Sequence, residues 1–70
     1  MPVIDVTLAE GREPEMLRGL IDALTEAAVD ALDVPVESVR VILREVPRTH
    51  FAAGGVTIAE RRARAQEEYS

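Results

Sequence analysis

The sequence predicts an α/β (α+β) fold: a single β-α-β unit followed by a C-terminal hairpin and a short helix, with residues 1–70 forming one domain. Three observations predict it. Apolar residues alternate over residues 3–8 and again over 39–46, the period of a strand. Between them, from Leu17 to Leu32, apolar residues recur at three- and four-residue steps, the period of a helix. No hairpin turn joins the two alternating stretches directly, so the strands pair in parallel through a helical crossover.

Each element has a local reason. Val3-Ile4-Asp5-Val6-Thr7-Leu8 places Ile4, Val6 and Leu8 on one face and Val3, Asp5 and Thr7 on the other, with β-branched residues favouring an extended chain. Glu10-Gly11-Arg12-Glu13-Pro14 breaks this strand, because Gly11 is free to turn and Pro14 suits the first position of a helix. Leu17, Leu20, Ile21, Leu24, Ala27, Ala28, Ala31 and Leu32 then form an apolar stripe about five turns long, opposite Arg18, Asp22, Glu26 and Asp30. Asp33-Val34-Pro35 ends the helix, since a residue before proline avoids helical dihedrals. From Val39 to Val46 a second strand alternates Arg40, Ile42 and Arg44 with Val39, Val41 and Leu43. The paired glycines of Phe51-Ala52-Ala53-Gly54-Gly55-Val56 suit a tight turn between two short strands. Thr57 with Glu60 forms a capping box that opens a final helix through Arg61, Arg62 and Arg64, which read as a solvated face or a subunit contact.

A crossover helix covers one sheet face only. The other face, with Val3, Thr7, Ile42 and Arg40, stays bare in a monomer, and association with other subunits is the economical way to cover it. Chain length argues the same way. Seventy residues bury too little surface to be comfortably stable alone, and there is no cysteine for a disulfide and no Cys or His cluster for a structural metal. Apolar residues make up 47% of the chain with a single Phe, a single Tyr and no Trp, so the excess is aliphatic surface suited to subunit contacts.

Charge and composition exclude several functions. A net charge of -5 opposes binding to nucleic acid or acidic membrane surfaces. No signal-peptide pattern is read at the start, and no apolar stretch approaches the roughly 20 residues that span a bilayer, so a soluble, cytoplasmic protein is expected. All eight basic residues are arginine, which leaves no lysine for a Schiff base. Groups with a nitrogen neutral near pH 7 are therefore His50 and the chain's own amino terminus.

Met1-Pro2 has two readings. It is an ordinary start, or, once Met1 is trimmed, it exposes a ring-held secondary amine at the head of a strand. Such an amine has an ordinary pKa of about 7.7 to 8.0, and burial or nearby arginines lower it by disfavouring the cation, which suits a general base at neutral pH. Arg12 and Arg40 likewise read either as carboxylate-gripping cations or as a surface pair to Glu10 or Glu13 and a solvated strand residue. His50 beside Phe51 reads as structural and is left out of the site, and Ser38, just before a strand, as a local backbone partner.

Pro2 opening the first strand, Glu10-Gly11-Arg12 closing it, Ser38-Val39-Arg40-Val41-Ile42 on the second, and His50-Phe51 followed by Gly54-Gly55 together resemble the 4-oxalocrotonate tautomerase family over nearly the whole chain to about Arg64. The resemblance implies a tautomerase fold assembled as a homohexamer, a trimer of dimers, with active sites shared between subunits. It implies that Pro2 shuttles a proton from the 2-hydroxyl of a dienol such as 2-hydroxymuconate to a distant carbon. Arg40 would hold the carboxylate and 2-oxo end, Arg12 would draw electron density toward the far carboxylate, and Phe51 would form part of the apolar wall. The expected partner is a small dicarboxylate, and neither metal nor organic cofactor is expected.

Two departures bear on specificity. Ala9 stands where the best-known members carry a larger aliphatic residue, and Ala52-Ala53 replaces a more typical Gly-Ile pair, which widens the expected pocket. The alternatives are a relative acting on another unsaturated acid (a biosynthetic tautomerase, hydratase or dehalogenase) and a non-catalytic oligomeric binding protein. Residues 51–56 hold no acid to activate water, which weakens the dehalogenase reading and, for the same reason, a decarboxylase one.

Overall fold

A computed structural model describes residues 1–69, with side-chain surroundings described through residue 66. Strand β1 (Val3–Ala9) leads to helix α1 (Pro14–Leu32), a 3-10 turn (Val36–Ser38) and strand β2 (Arg40–Val46). A second 3-10 turn (Arg48–His50) precedes the short strands β3 (Ala52–Ala53) and β4 (Val56–Thr57), and helix α2 (Ile58–Tyr69) follows. β1 and β2 pair in parallel, Val3 opposite Arg40 through Ala9 opposite Val46, as the β-α-β reading requires. β3 and β4 form the antiparallel hairpin.

The register sorts the sheet into two faces. Ile4, Val6, Leu8, Val41 and Leu43 are half-buried on the helix side, while Val3, Asp5, Thr7, Arg40, Ile42 and Arg44 are exposed on the other. Pro14 starts α1, Glu13 accepts the first backbone bonds from Met16 and Leu17, and Asp33 ends the helix in the left-handed region at φ 53°. The half-buried helix face is Leu17, Leu20, Ile21, Leu24, Thr25, Ala28 and Val29, so the stripe read through Ala27, Ala31 and Leu32 is corrected at its end. The 19-residue helix is about 28 Å long against about 23 Å for a seven-residue strand, so its last turn overhangs the sheet. β2 begins at Arg40 rather than Val39 because the Val39 N–H closes the 3-10 turn by donating to Val36.

Among the described residues none is fully buried. The chain exposes 5390 Å², where a compact monomer of this mass exposes about 4,300 Å². Its radius of gyration is 16.1 Å against about 11 Å for a globule of this length. Val3 and Ile42 are 54% and 40% exposed on the uncovered sheet face. Among the described residues no helix is long and apolar enough to cross a membrane.

Candidate active site

Parallel pairing sets Pro2 beside Arg40. The Arg40 N–H donates to the Pro2 carbonyl at 3.0 Å, which continues the ladder one step past Val3 and fixes the residue that carries the predicted base. Pro2 is half-buried, and Met1, 81% exposed, caps its nitrogen as an amide. The Arg40 side chain lies on the uncovered face, with Nη1 donating to the Glu37 carbonyl at 2.7 Å. Ser38 is spent locally, its hydroxyl donating to Pro35 at 2.7 Å, as the sequence suggests.

Arg12 stands at the opposite end. Seven strand residues separate Pro2 from the Gly11 turn, a span of about 23 Å. Phe51, half-buried, follows the 3-10 turn at that same far end, where its carbonyl accepts the Ile58 N–H at 2.9 Å. Within one chain, therefore, the structure brings together Pro2 and Arg40 and keeps Arg12 and Phe51 apart from them. Among the described residues the single chain encloses no pocket.

Two arginine placements escape sequence reasoning. Arg48, from the 3-10 turn after β2, lays its guanidinium across Gly11, next to Arg12. A methyl group on Gly11 would collide with its Nη2 and sit 3.1 Å from Cζ. Gly11 itself adopts φ 116°, which side-chain-bearing residues rarely reach. A glycine in a turn is the signal that could have prompted a search for something packed on it. Arg44 reaches diagonally across the sheet to Asp5, with Nε 3.0 Å from Oδ1 and Nη2 3.1 Å from Oδ2. That hydrogen bonding, then the Asp5 charge, holds the Arg44 guanidinium above its ordinary pKa. Only the register reveals this pair, since 39 residues separate its members.

The tautomerase enzyme family matches residues 2–61, most of the chain. The chain belongs to the 4-oxalocrotonate tautomerase family of the tautomerase superfamily. A probable tautomerase of Ralstonia nicotianae is 55% identical over 56 residues, 80% of each chain. The 2-hydroxymuconate tautomerase of a Pseudomonas species is 42% identical over 55 residues, 79% of this chain and 87% of that one. Among solved structures, TomN, a 4-oxalocrotonate tautomerase homologue in the tomaymycin biosynthetic pathway, superposes with a TM-score of 0.86 at 52% identity, covering 89% of this chain and 95% of TomN. A heterohexameric 4-oxalocrotonate tautomerase from Chloroflexus aurantiacus gives a TM-score of 0.83 at 45% identity, covering 86% and 97%. The tautomerase fold expected from the sequence is thus the fold found.

Proposed function

We propose that this tautomerase family member is a cofactor-independent isomerase that moves a proton along a conjugated 2-hydroxy/2-oxo dicarboxylate such as 2-hydroxymuconate, with Pro2 as its general base. The observation that carries the reading is the backbone bond that holds Pro2 against Arg40 at one end of the strand pair, while Arg12 and Phe51 belong to the segments that follow β1 and β2 at the other. A site that uses all four must join the Pro2 end of one chain to the Gly11 end of another. A homohexamer built as a trimer of dimers meets that demand, and the uncovered sheet face and the extended shape of the single chain support it.

Removal of Met1 turns the Pro2 amide into a secondary amine, whose ordinary pKa of about 7.7 to 8.0 falls further beside arginines. The neutral amine takes the 2-hydroxyl proton, the electron pair moves through the conjugated chain, and the same proton returns at a distant carbon. Arg40 holds the near carboxylate and 2-oxo group. Arg12 stabilises the charge that collects on the far carboxylate, which grows in the transition state and so lowers the barrier. Phe51 supplies an apolar wall.

A second reading, a tautomerase acting on a related unsaturated acid in a biosynthetic pathway, draws support from the small Ala9 and from the higher identity to TomN than to the 2-hydroxymuconate tautomerase. One assay separates these readings. Ketonisation of 2-hydroxymuconate, followed by ultraviolet absorbance, is expected for protein lacking Met1, with a loss of about 10² to 10⁴ in rate for Pro2→Ala and for protein that retains Met1. Equal rates in all three would remove Pro2 from the mechanism, and no rate above buffer in any would favour the other substrate.

A further inference from the structure

We propose that Arg48 is a second cation of the far-carboxylate subsite, acting with Arg12, and that the Gly11 end of the chain thereby selects dicarboxylates over monocarboxylates. The inference rests on the reading above in one respect, that the Gly11 end of one chain faces Pro2 of another.

Four observations converge on it. Arg48 is half-buried, whereas the other seven arginines are exposed. What it packs on is the Gly11 backbone, and the lack of a side chain there is what admits the guanidinium. It links the residues already placed at this end: the Gly11 it packs on adjoins Arg12, and Phe51 follows Arg48 by three positions. Finally, neither Arg12 nor Arg48 forms an ion pair among the described residues, a state shared with Arg40, Arg61, Arg62 and Arg64, whereas Arg18 pairs with Asp22 and Arg44 with Asp5. In a chain with thirteen acids and eight arginines, with Glu10 and Glu13 flanking the turn, two unpaired cations on one glycine turn leave their positive charge for an outside anion.

The chemistry of the subsite follows from geometry. A guanidinium presents paired N–H donors in a plane that matches a carboxylate, and a second guanidinium carried by the residue next to Gly11 can share its oxygens. A substrate with a single carboxylate, held at the Arg40 end, leaves these donors to water. The Gly11 end therefore contributes to affinity only when the ligand carries a second carboxylate at the right reach.

The test is binding rather than turnover. Calorimetry with the Met1-free assembly compares muconate, a conjugated dicarboxylate, with sorbate, its monocarboxylate counterpart, in the wild-type protein and in Arg48→Ala, Arg48→Gln and Arg48→Lys, with native mass confirming assembly. The expected result is a preference for muconate that falls about tenfold in Arg48→Ala and Arg48→Gln and is largely kept in Arg48→Lys, one lost charge-assisted contact being worth about that factor. No muconate preference in the wild-type protein, an unchanged preference in Arg48→Gln, or equal losses for both ligands, the mark of a packing role alone, would overturn it. Should the wild-type protein fail to ketonise 2-hydroxymuconate while the preference still depends on Arg48, the reaction reading falls and the subsite stands.

Discussion

Gly11 joins two constraints at one residue, since its φ of 116° excludes most side chains and its Cα lies under the Arg48 guanidinium. A Gly11→Ala change is accordingly expected to destabilise the protein by about 1–3 kcal/mol from backbone strain, seen as a lower thermal midpoint. A midpoint equal to wild type would mean that the turn relaxes without consequence. The sequence makes Gly11 legible as a turn residue, because turn chemistry is local. It does not make Arg48 legible, because the contact joins a loop after β2 to a loop after β1, and only the folded register brings them together. Pro2 and Arg40 lie between these cases. Each is readable as a candidate, but their adjacency depends on Val3 standing opposite Arg40, one step in a parallel ladder that alternation alone leaves unset.

At the scale of elements the C-terminal segment follows its sequence closely, because its determinants sit within a few residues. Gly54 and Gly55 have φ of 59° and 79°, the two positive angles of a type I′ turn, and join β3 to β4 as the glycine pair predicts. Thr57 and Glu60 form the reciprocal capping box: the Glu60 N–H donates to Thr57 Oγ1 at 3.1 Å, and the Thr57 hydroxyl and N–H donate to Glu60 Oε1 at 2.9 and 3.3 Å. The hydroxyl bond first, then the backbone bond, holds the Glu60 carboxyl below its ordinary pKa. A carboxyl whose pKa is lowered by folding adds stability above the ordinary carboxylate range and loses it as the pH falls through the folded value. Acidification is thus expected to loosen the start of α2 in wild type but not in Glu60→Gln, whose helix start stays insensitive to pH. Amide exchange at residues 58–61, followed from neutral to acid pH, checks this, and identical acid profiles would refute it. Helix α1 is less legible at its end. Its last apolar positions, Ala31 and Leu32, keep the right spacing yet stay exposed, since a helix longer than the strands it covers has nothing left to pack on.

For the whole molecule, the surface of 5390 Å² and the radius of gyration of 16.1 Å describe a chain that leaves much of its apolar surface uncovered, as the proposed assembly requires. In the uncovered face stands the Asp5–Arg44 pair, with side chains 45% and 59% exposed and Val3 and Ile42 beside it. Exposed to water, such a pair contributes little to stability. Covered by another chain, it behaves differently: the two charges lose solvent together, and removing one strands the other in a dry interface. Charge reversal at either position, Asp5→Arg or Arg44→Asp, is therefore expected to raise by about tenfold or more the concentration at which the assembly comes apart, measured by sedimentation across a dilution series. The double exchange Asp5→Arg with Arg44→Asp is expected to recover much of the loss, because the pair is re-formed in the opposite sense. If both single variants hold together as firmly as wild type, the face that carries the pair is open to solvent, and the subunit contacts must lie on the edges of the strands and on the helices instead.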